Sequence, residues 1–221
     1  MTTRVYLGGG GSAQDEAQLW RMFLRPSRRV VCWLQALPPA QHEVAELWLR
    51  RALAPYDVPR VEAWADLGEH DVEELDVDDV VMVLGGNTFD LLHHVQTRGA
   101  ADLAREHVRR GGVYYGGSAG AVLAGADIAV AGFADPNDAG VIDTRGLRLL
   151  GDAIVRPHYT PGDRDECWAW AAQGFTVLGI PEAAGLAVVD DVARNAGPAE
   201  VEVLTATSLR VLAPGELLHL S

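Results

Sequence analysis

The 221-residue chain carries 31 acidic against 18 basic side chains, a net charge of −13, with 48% hydrophobic and 22% charged residues. That composition supplies a core of ordinary size, and it argues against a nucleic-acid partner, because the densest basic group is only Arg25, Arg28 and Arg29. Cys32 and Cys167 lie far apart in apolar stretches, which is neither a disulfide framework nor a zinc pattern, so buried thiols in a reducing cytoplasm are expected.

No linker or charge block divides the chain, and one domain over 1–221 is expected. Met1 runs directly into a strand-like segment with no basic-then-apolar leader, and no apolar run reaches spanning length, so no membrane partner is expected. A first strand over 3–7 ends in the glycine run Gly8 to Gly11. Ser12 is the expected N-cap of a helix carrying Ala17, Trp20 and Leu24 on one face. A strand over 30–34 leads through Pro38-Pro39 into a helix with Val44, Leu47, Trp48 and Arg51 at helical spacing, and a third strand covers 58–65. Residues 80–84 are uniformly apolar, as in a strand buried on both faces, and run into Gly85-Gly86-Asn87-Thr88.

A helical stretch over 89–110 precedes the strand Val113-Tyr114-Tyr115, after which a helix is expected over 119–126. Later strands are expected over 153–155, 176–180 and 186–189, with a helix over 163–173 and a final hairpin within 201–220 at the sheet edge. This alternation predicts a three-layer α/β fold, a mostly parallel sheet with helices on both faces.

Between strand and helix, Gly116-Gly117-Ser118-Ala119-Gly120 matches G-x-S-x-G, in which a nucleophilic serine projects from a strained turn with small neighbours. The N–H of Ala119 can face a developing oxyanion, helped by the start of the new helix. Gly86, after the buried strand, is the candidate second donor. A serine needs a base, and of the seven histidines His42, His93, His94 and His107 fall in helical segments, His70 in an acidic loop and His219 in the tail. His158 follows a strand and Pro157, at the carboxyl edge where open α/β sheets bind ligands. The acid that orients it is Glu182, after the strand over 176–180 and Pro181, or Asp138, in a turn-rich loop.

Leu84-Gly85-Gly86-Asn87-Thr88, Gly117-Ser118-Ala119-Gly120, Pro157-His158-Tyr159 and Gly179-Ile180-Pro181-Glu182, in this order and spacing, resemble the peptidase E and cyanophycinase family of serine peptidases, from about residue 80 to 189. The resemblance implies a class I glutamine amidotransferase-like (flavodoxin-like) fold with serine in place of cysteine. It implies Ser118 as nucleophile, His158 as base, and Gly86 and Ala119 as oxyanion donors. The acid is Glu182 by likeness to cyanophycinases and Asp138 by likeness to bacterial peptidase E. Peptidase E releases N-terminal Asp from Asp-X dipeptides, which assigns substrate binding to Arg164 and Asn87. A shorter loop between His158 and Arg164 than peptidase E has puts the aspartyl specificity in question.

A lipase-like hydrolase would also satisfy the order Ser118, Asp138, His158, but too little chain separates nucleophile from histidine and its oxyanion-loop motif is missing. A non-catalytic amidotransferase-like binding protein is the rival of a different class. No cofactor, metal or nucleotide is expected, since Gly8 to Gly11 lacks the Lys-Ser/Thr of a P-loop. This glycine run is expected to make a turn lining the site. The expected partner is a small peptide substrate, and a homo-oligomer is compatible with the sequence.

Overall fold

The computed structural model describes residues 2–25 and 28–220. Strands β1 (Arg4–Gly8), β2 (Arg29–Trp33), β3 (Arg60–Trp64), β4 (Val80–Val83) and β5 (Val113–Gly117) form a parallel block in the spatial order β1-β5-β4-β2-β3. The helices α1 (Ala17–Phe23), α2 (His42–Leu53), α3 (Thr88–Thr97) and α4 (Ala100–Arg109) run between these strands, and α5 (Ala119–Ala124) follows β5.

β4 shows how the block is held. All four of its residues are buried, and successive side chains point to opposite faces. Val81 and Val83 pack into a core with α3, α4 and α5, whereas Val80 and Met82 pack into one with α1 and α2. These are the three layers expected from the alternation of strands and helices.

The second half of the chain builds two sheets rather than one. β6 (Ala153–Pro157) and β7 (Thr176–Ile180) pair in parallel, with α6 (Arg164–Ala171) between them in sequence. β8 (Gly185–Val189) and β9 (Val192–Asn195) return antiparallel to the first sheet beside β1. The hairpin β10 (Val201–Thr205) and β11 (Ser208–Leu212) joins β7, completing a four-stranded sheet in the order β11-β10-β7-β6. β12 (Leu217–His219) then pairs with β9 and edges the eight-stranded sheet. The hairpin expected at the edge of a single sheet therefore belongs to the second sheet, and only β12 takes the edge position.

Two further expectations are corrected. The helical stretch over 89–110 breaks after Arg98, where Gly99 adopts φ 70° and starts α4. Ser12 caps a preceding turn instead of α1, accepting from Asp15 N–H at 3.3 Å, while the helix begins at Ala17. The helix expected after Pro38-Pro39 is α2, in which Val44, Leu47 and Trp48 are exposed and Leu49 and Leu53 face the sheet, with Ala45 and Ala52 packed alongside. Two apolar stripes have helical spacing there, and the one containing alanines allows the closer approach. Cys32 and Cys167 are free and buried, and burial pushes both thiols up to about 12. No described helix is long and apolar enough to cross a membrane.

Candidate active site

The carboxyl ends of β1, β4, β5, β6 and β7 converge, and each delivers one part of the site. β5 ends at Gly117, and Ser118 follows at φ 52° and ψ −114°, a conformation that L-residues disfavour. The surroundings hold it there: α5 packs directly behind the turn, and both Ala121 N–H and Val122 N–H donate to Ser118 O, at 2.8 and 3.1 Å. The hydroxyl is thereby turned out of the sheet.

Parallel pairing of β6 with β7 sets Pro157 opposite Ile180, so the next residues, His158 and Pro181-Glu182, emerge side by side. His158 Nε2 lies 2.8 Å from Ser118 Oγ, and its Nδ1 lies 3.0 Å from Glu182 Oε1. The tautomer protonated on Nδ1 satisfies both contacts: Nδ1–H donates to Glu182, and Nε2 accepts from the serine hydroxyl. His158 is itself at φ 51°. Its backbone N–H donates to Gly9 O at 2.9 Å, and Tyr159 N–H donates to Ile180 O at 3.2 Å.

The glycine run Gly8 to Gly11 joins the two sheets at this point. The bond from His158 makes that join, while Ser118 N–H donates to Gly8 O at 3.4 Å and Gly9 N–H to Ala184 O at 3.2 Å, extending the pairing of β1 with β5 and β8. Gly10 has φ 90°, and a Cβ there would stand 2.4 Å from the His158 ring and 3.0 Å from Ser118 Cβ, so no side chain fits. Gly86, at φ 140°, is equally constrained, because a Cβ would meet Ala36 O at 2.2 Å. Gly86, Ala119, Ser118 and His158 all line one cavity of about 250 Å³.

The remaining candidates have other positions. Asp138 is exposed, and the imidazole nitrogen it would hold is taken by Glu182. Its loop is tied to the start of α3 through Asp135, whose carboxylate accepts from Thr88 N–H and Oγ1–H at 2.9 and 2.6 Å. Asn87 caps α3, its Oδ1 accepting from Phe89 and Asp90 N–H, while its Nδ2 donates to Pro136 O at 2.9 Å. Arg164 makes a two-pronged ion pair with Glu202, which also accepts from Tyr159 O–H. That pairing raises the Arg164 pKa and holds Glu202 below the usual carboxylate range. Among the other histidines, His107 is buried against Asp79 O, His70 stacks on Trp64, and His42 contacts Leu37 O.

Two residues beside the site were not anticipated. Arg156, buried two positions before His158, lines the 250 Å³ cavity, donates to Pro157 O and Asp163, and lies 3.3 Å from the centroid of the Phe133 ring. Glu16 is 3% exposed, accepting from Tyr115 O–H at 2.8 Å and Gly10 N–H at 3.2 Å, and burial pushes its carboxyl up to about 7. Its signal was in the sequence: Glu16, Trp20 and Phe23 share one helical stripe, where an acid among apolar residues is buried with them.

A strained serine, an imidazole and a carboxylate in hydrogen-bonded series have the geometry of a serine hydrolase. The model of peptidase family S51 matches residues 56–196, and the chain belongs to that family of serine-type peptidases. It is 31% identical over 140 residues to a peptidase E of Salmonella arizonae, covering 58% of this chain and 59% of that protein. To a peptidase E of Citrobacter koseri it is 33% identical over 141 residues, with the same coverage. The chain thus spans under two thirds of the curated relatives it matches. Among solved structures, a peptidase from an acI-B1 Actinobacterium superposes with a TM-score of 0.74 at 18% identity, over 99% of this chain and 97% of that one. A Listeria monocytogenes EGD-e protein described as a candidate peptidase E does so with 0.73 at 22%, over 90% and 100%. These likenesses establish the class I glutamine amidotransferase-like fold.

Proposed function

We propose that the protein is a serine peptidase of short peptides, with Ser118 as nucleophile, His158 as general base and Glu182 as the orienting acid. The observation that carries this reading is the unbroken series from Ser118 Oγ through the imidazole to Glu182, at 2.8 and 3.0 Å. Ser118 Oγ attacks the scissile carbonyl while His158 Nε2 takes its proton. The oxyanion is received by the N–H groups of Gly86 and Ala119, and Glu182 stabilises the imidazolium. As the tetrahedral centre collapses, the C–N bond breaks and His158 protonates the departing amine. A water then attacks the ester by the same route and releases the acid product. Cavities of one- or two-residue size on either side of Ser118 support dipeptides or similarly short substrates.

Release of N-terminal Asp from Asp-X dipeptides, with Arg164 holding the aspartyl carboxylate, is the finer reading implied by the family. The pairing of Arg164 with Glu202 weighs against it, since both prongs of the guanidinium are already occupied. A related peptidase with non-aspartyl specificity accords better with that pairing. A panel of X-Y dipeptides and aminoacyl-p-nitroanilides, run with wild type and Ser118→Ala, tests both levels. Turnover lost with the serine supports a Ser118 peptidase, and turnover retained in a folded Ser118→Ala protein contradicts it. Hydrolysis confined to Asp-X substrates would restore the aspartyl reading.

A further inference from the structure

Ser118 stands between two unlike cavities. On one side is the 250 Å³ cavity with Gly86, Ala119, His158 and the buried Arg156. On the other is a cavity of about 540 Å³ walled by Trp20, Leu37, Val44, Ala45, Trp48 and Leu84, which opens onto Ser118 between Gly10 and Gly85. No Lys, Arg or His lines this larger cavity among the described residues; its carboxyl group is that of Glu16.

We propose that the 540 Å³ cavity is the subsite for a bulky apolar residue beside the scissile bond, and that Glu16 sets its specificity by rejecting a carboxylate there. This rests on the reading of Ser118 as nucleophile. Three observations carry it. The volume lies within the range of small-ligand sites, and the wall is apolar and aromatic as such sites are. The outer face of α2 leaves Val44 70% and Trp48 46% exposed at the cavity although the helix buries a different stripe. Removing that apolar surface from water favours an apolar occupant. Finally, Glu16 is held in place by Tyr115 O–H and Gly10 N–H, so an acidic side chain entering the cavity meets a second carboxyl group and no cation. A carboxylate there finds no cation to replace the water it sheds, and where Glu16 is itself ionised the two like charges add a further cost.

The occupant is therefore Leu-, Phe- or Trp-like. Dipeptides varied at each position in turn, with Ala, Leu, Phe, Asp and Glu as the varied residue, identify which side of the scissile bond the cavity serves. At one of the two positions kcat/KM should rise by on the order of tenfold or more from Ala to Phe, as expected for the apolar surface added, and Asp and Glu should be the poorest residues. Trp48→Ala should erase most of the Phe-over-Ala preference, and Glu16→Gln should raise the Asp-to-Leu ratio at that position. Competition by Phe-like and Asp-like aminoboronic acids against fluorophosphonate labelling of Ser118 gives the same comparison without turnover.

Equal kcat/KM across the series at both positions, or a Trp48→Ala loss shared equally by all substrates, overturns the proposal while leaving a Ser118-dependent peptidase standing. If that equal loss comes with a change in sedimentation, the apolar face of α2 is a contact between copies of the chain. Turnover that survives Ser118→Ala contradicts instead the reading on which the proposal rests.

Discussion

The two sheets make different contributions to the site. The eight-stranded sheet delivers Ser118, Gly86 and the glycine loop from three neighbouring strands, each turn being continuous in sequence with a buried strand. The four-stranded sheet delivers His158 and Glu182, 24 residues apart, which meet because β6 and β7 pair in register. The first contribution is local, and the second is produced by strand pairing. A hydrolase built this way depends on the seam between sheets, which the bond from His158 N–H to Gly9 O crosses.

If this division holds, the largest effects come from the two residues that touch across the seam. Ser118→Ala and His158→Ala should each lower kcat by about 10³-fold or more, and the double variant should be little worse than either, because the pair acts as a unit. Steady-state kinetics on a dipeptide would show this, and additive losses would mean that the two residues act separately. Glu182 should rank next. Its side chain is 64% exposed, so water can partly replace it, and Glu182→Gln should cost less than His158→Ala but far more than Asp138→Asn. The reverse order for the two acids would move the third member of the series to the loop.

Support from beneath the second sheet should appear in stability rather than specificity. Arg164→Ala leaves the buried Glu202 with Tyr159 O–H alone, which should lower the thermal midpoint and lower kcat/KM for Asp-X and Leu-X alike. A loss confined to Asp-X would return Arg164 to substrate binding. On the other side of the seam, the carboxyl of Glu16 is pushed from 4.5 up to about 7 by burial, so the folded protein keeps a proton that the unfolded chain has lost. Stability should therefore fall as pH rises from about 4.5 to about 7, by about 3 kcal/mol at most, and level off above that. Thermal unfolding across this range should show the slope, and Glu16→Gln should flatten it. The smallest effect is that of Asp138→Asn, which should leave kinetics and stability near wild type.

The same division accounts for what could be read before the structure was known. Ser118 and Gly86 were legible because each follows a run of buried apolar residues and sits in a glycine-rich turn. His158 and Glu182 were legible as strand-end residues, and the buried strand before Glu182 already favoured it over the loop residue Asp138, but their meeting rests on the register of β6 on β7, which no local pattern contains. The second sheet was read as part of the first for the same reason, since β6 and β7 look like any buried strands. On α2, two apolar stripes compete, and only packing decides that Ala45, Leu49 and Leu53 go inward while Val44 and Trp48 remain for the cavity. Arg164 was assigned to substrate binding because nothing local shows its partner, Glu202, which lies 38 residues away on β10.

The central claim is that Ser118 is activated across the seam by His158, and covalent labelling tests it most directly. Wild type and His158→Ala, both checked for folding by circular dichroism, are exposed to a fluorophosphonate, and the adduct is located by peptide mass spectrometry. The account predicts one adduct per chain, on Ser118, forming at least about a hundredfold more slowly in His158→Ala. An adduct on another residue, or Ser118 labelling at an unchanged rate without the imidazole, would contradict it.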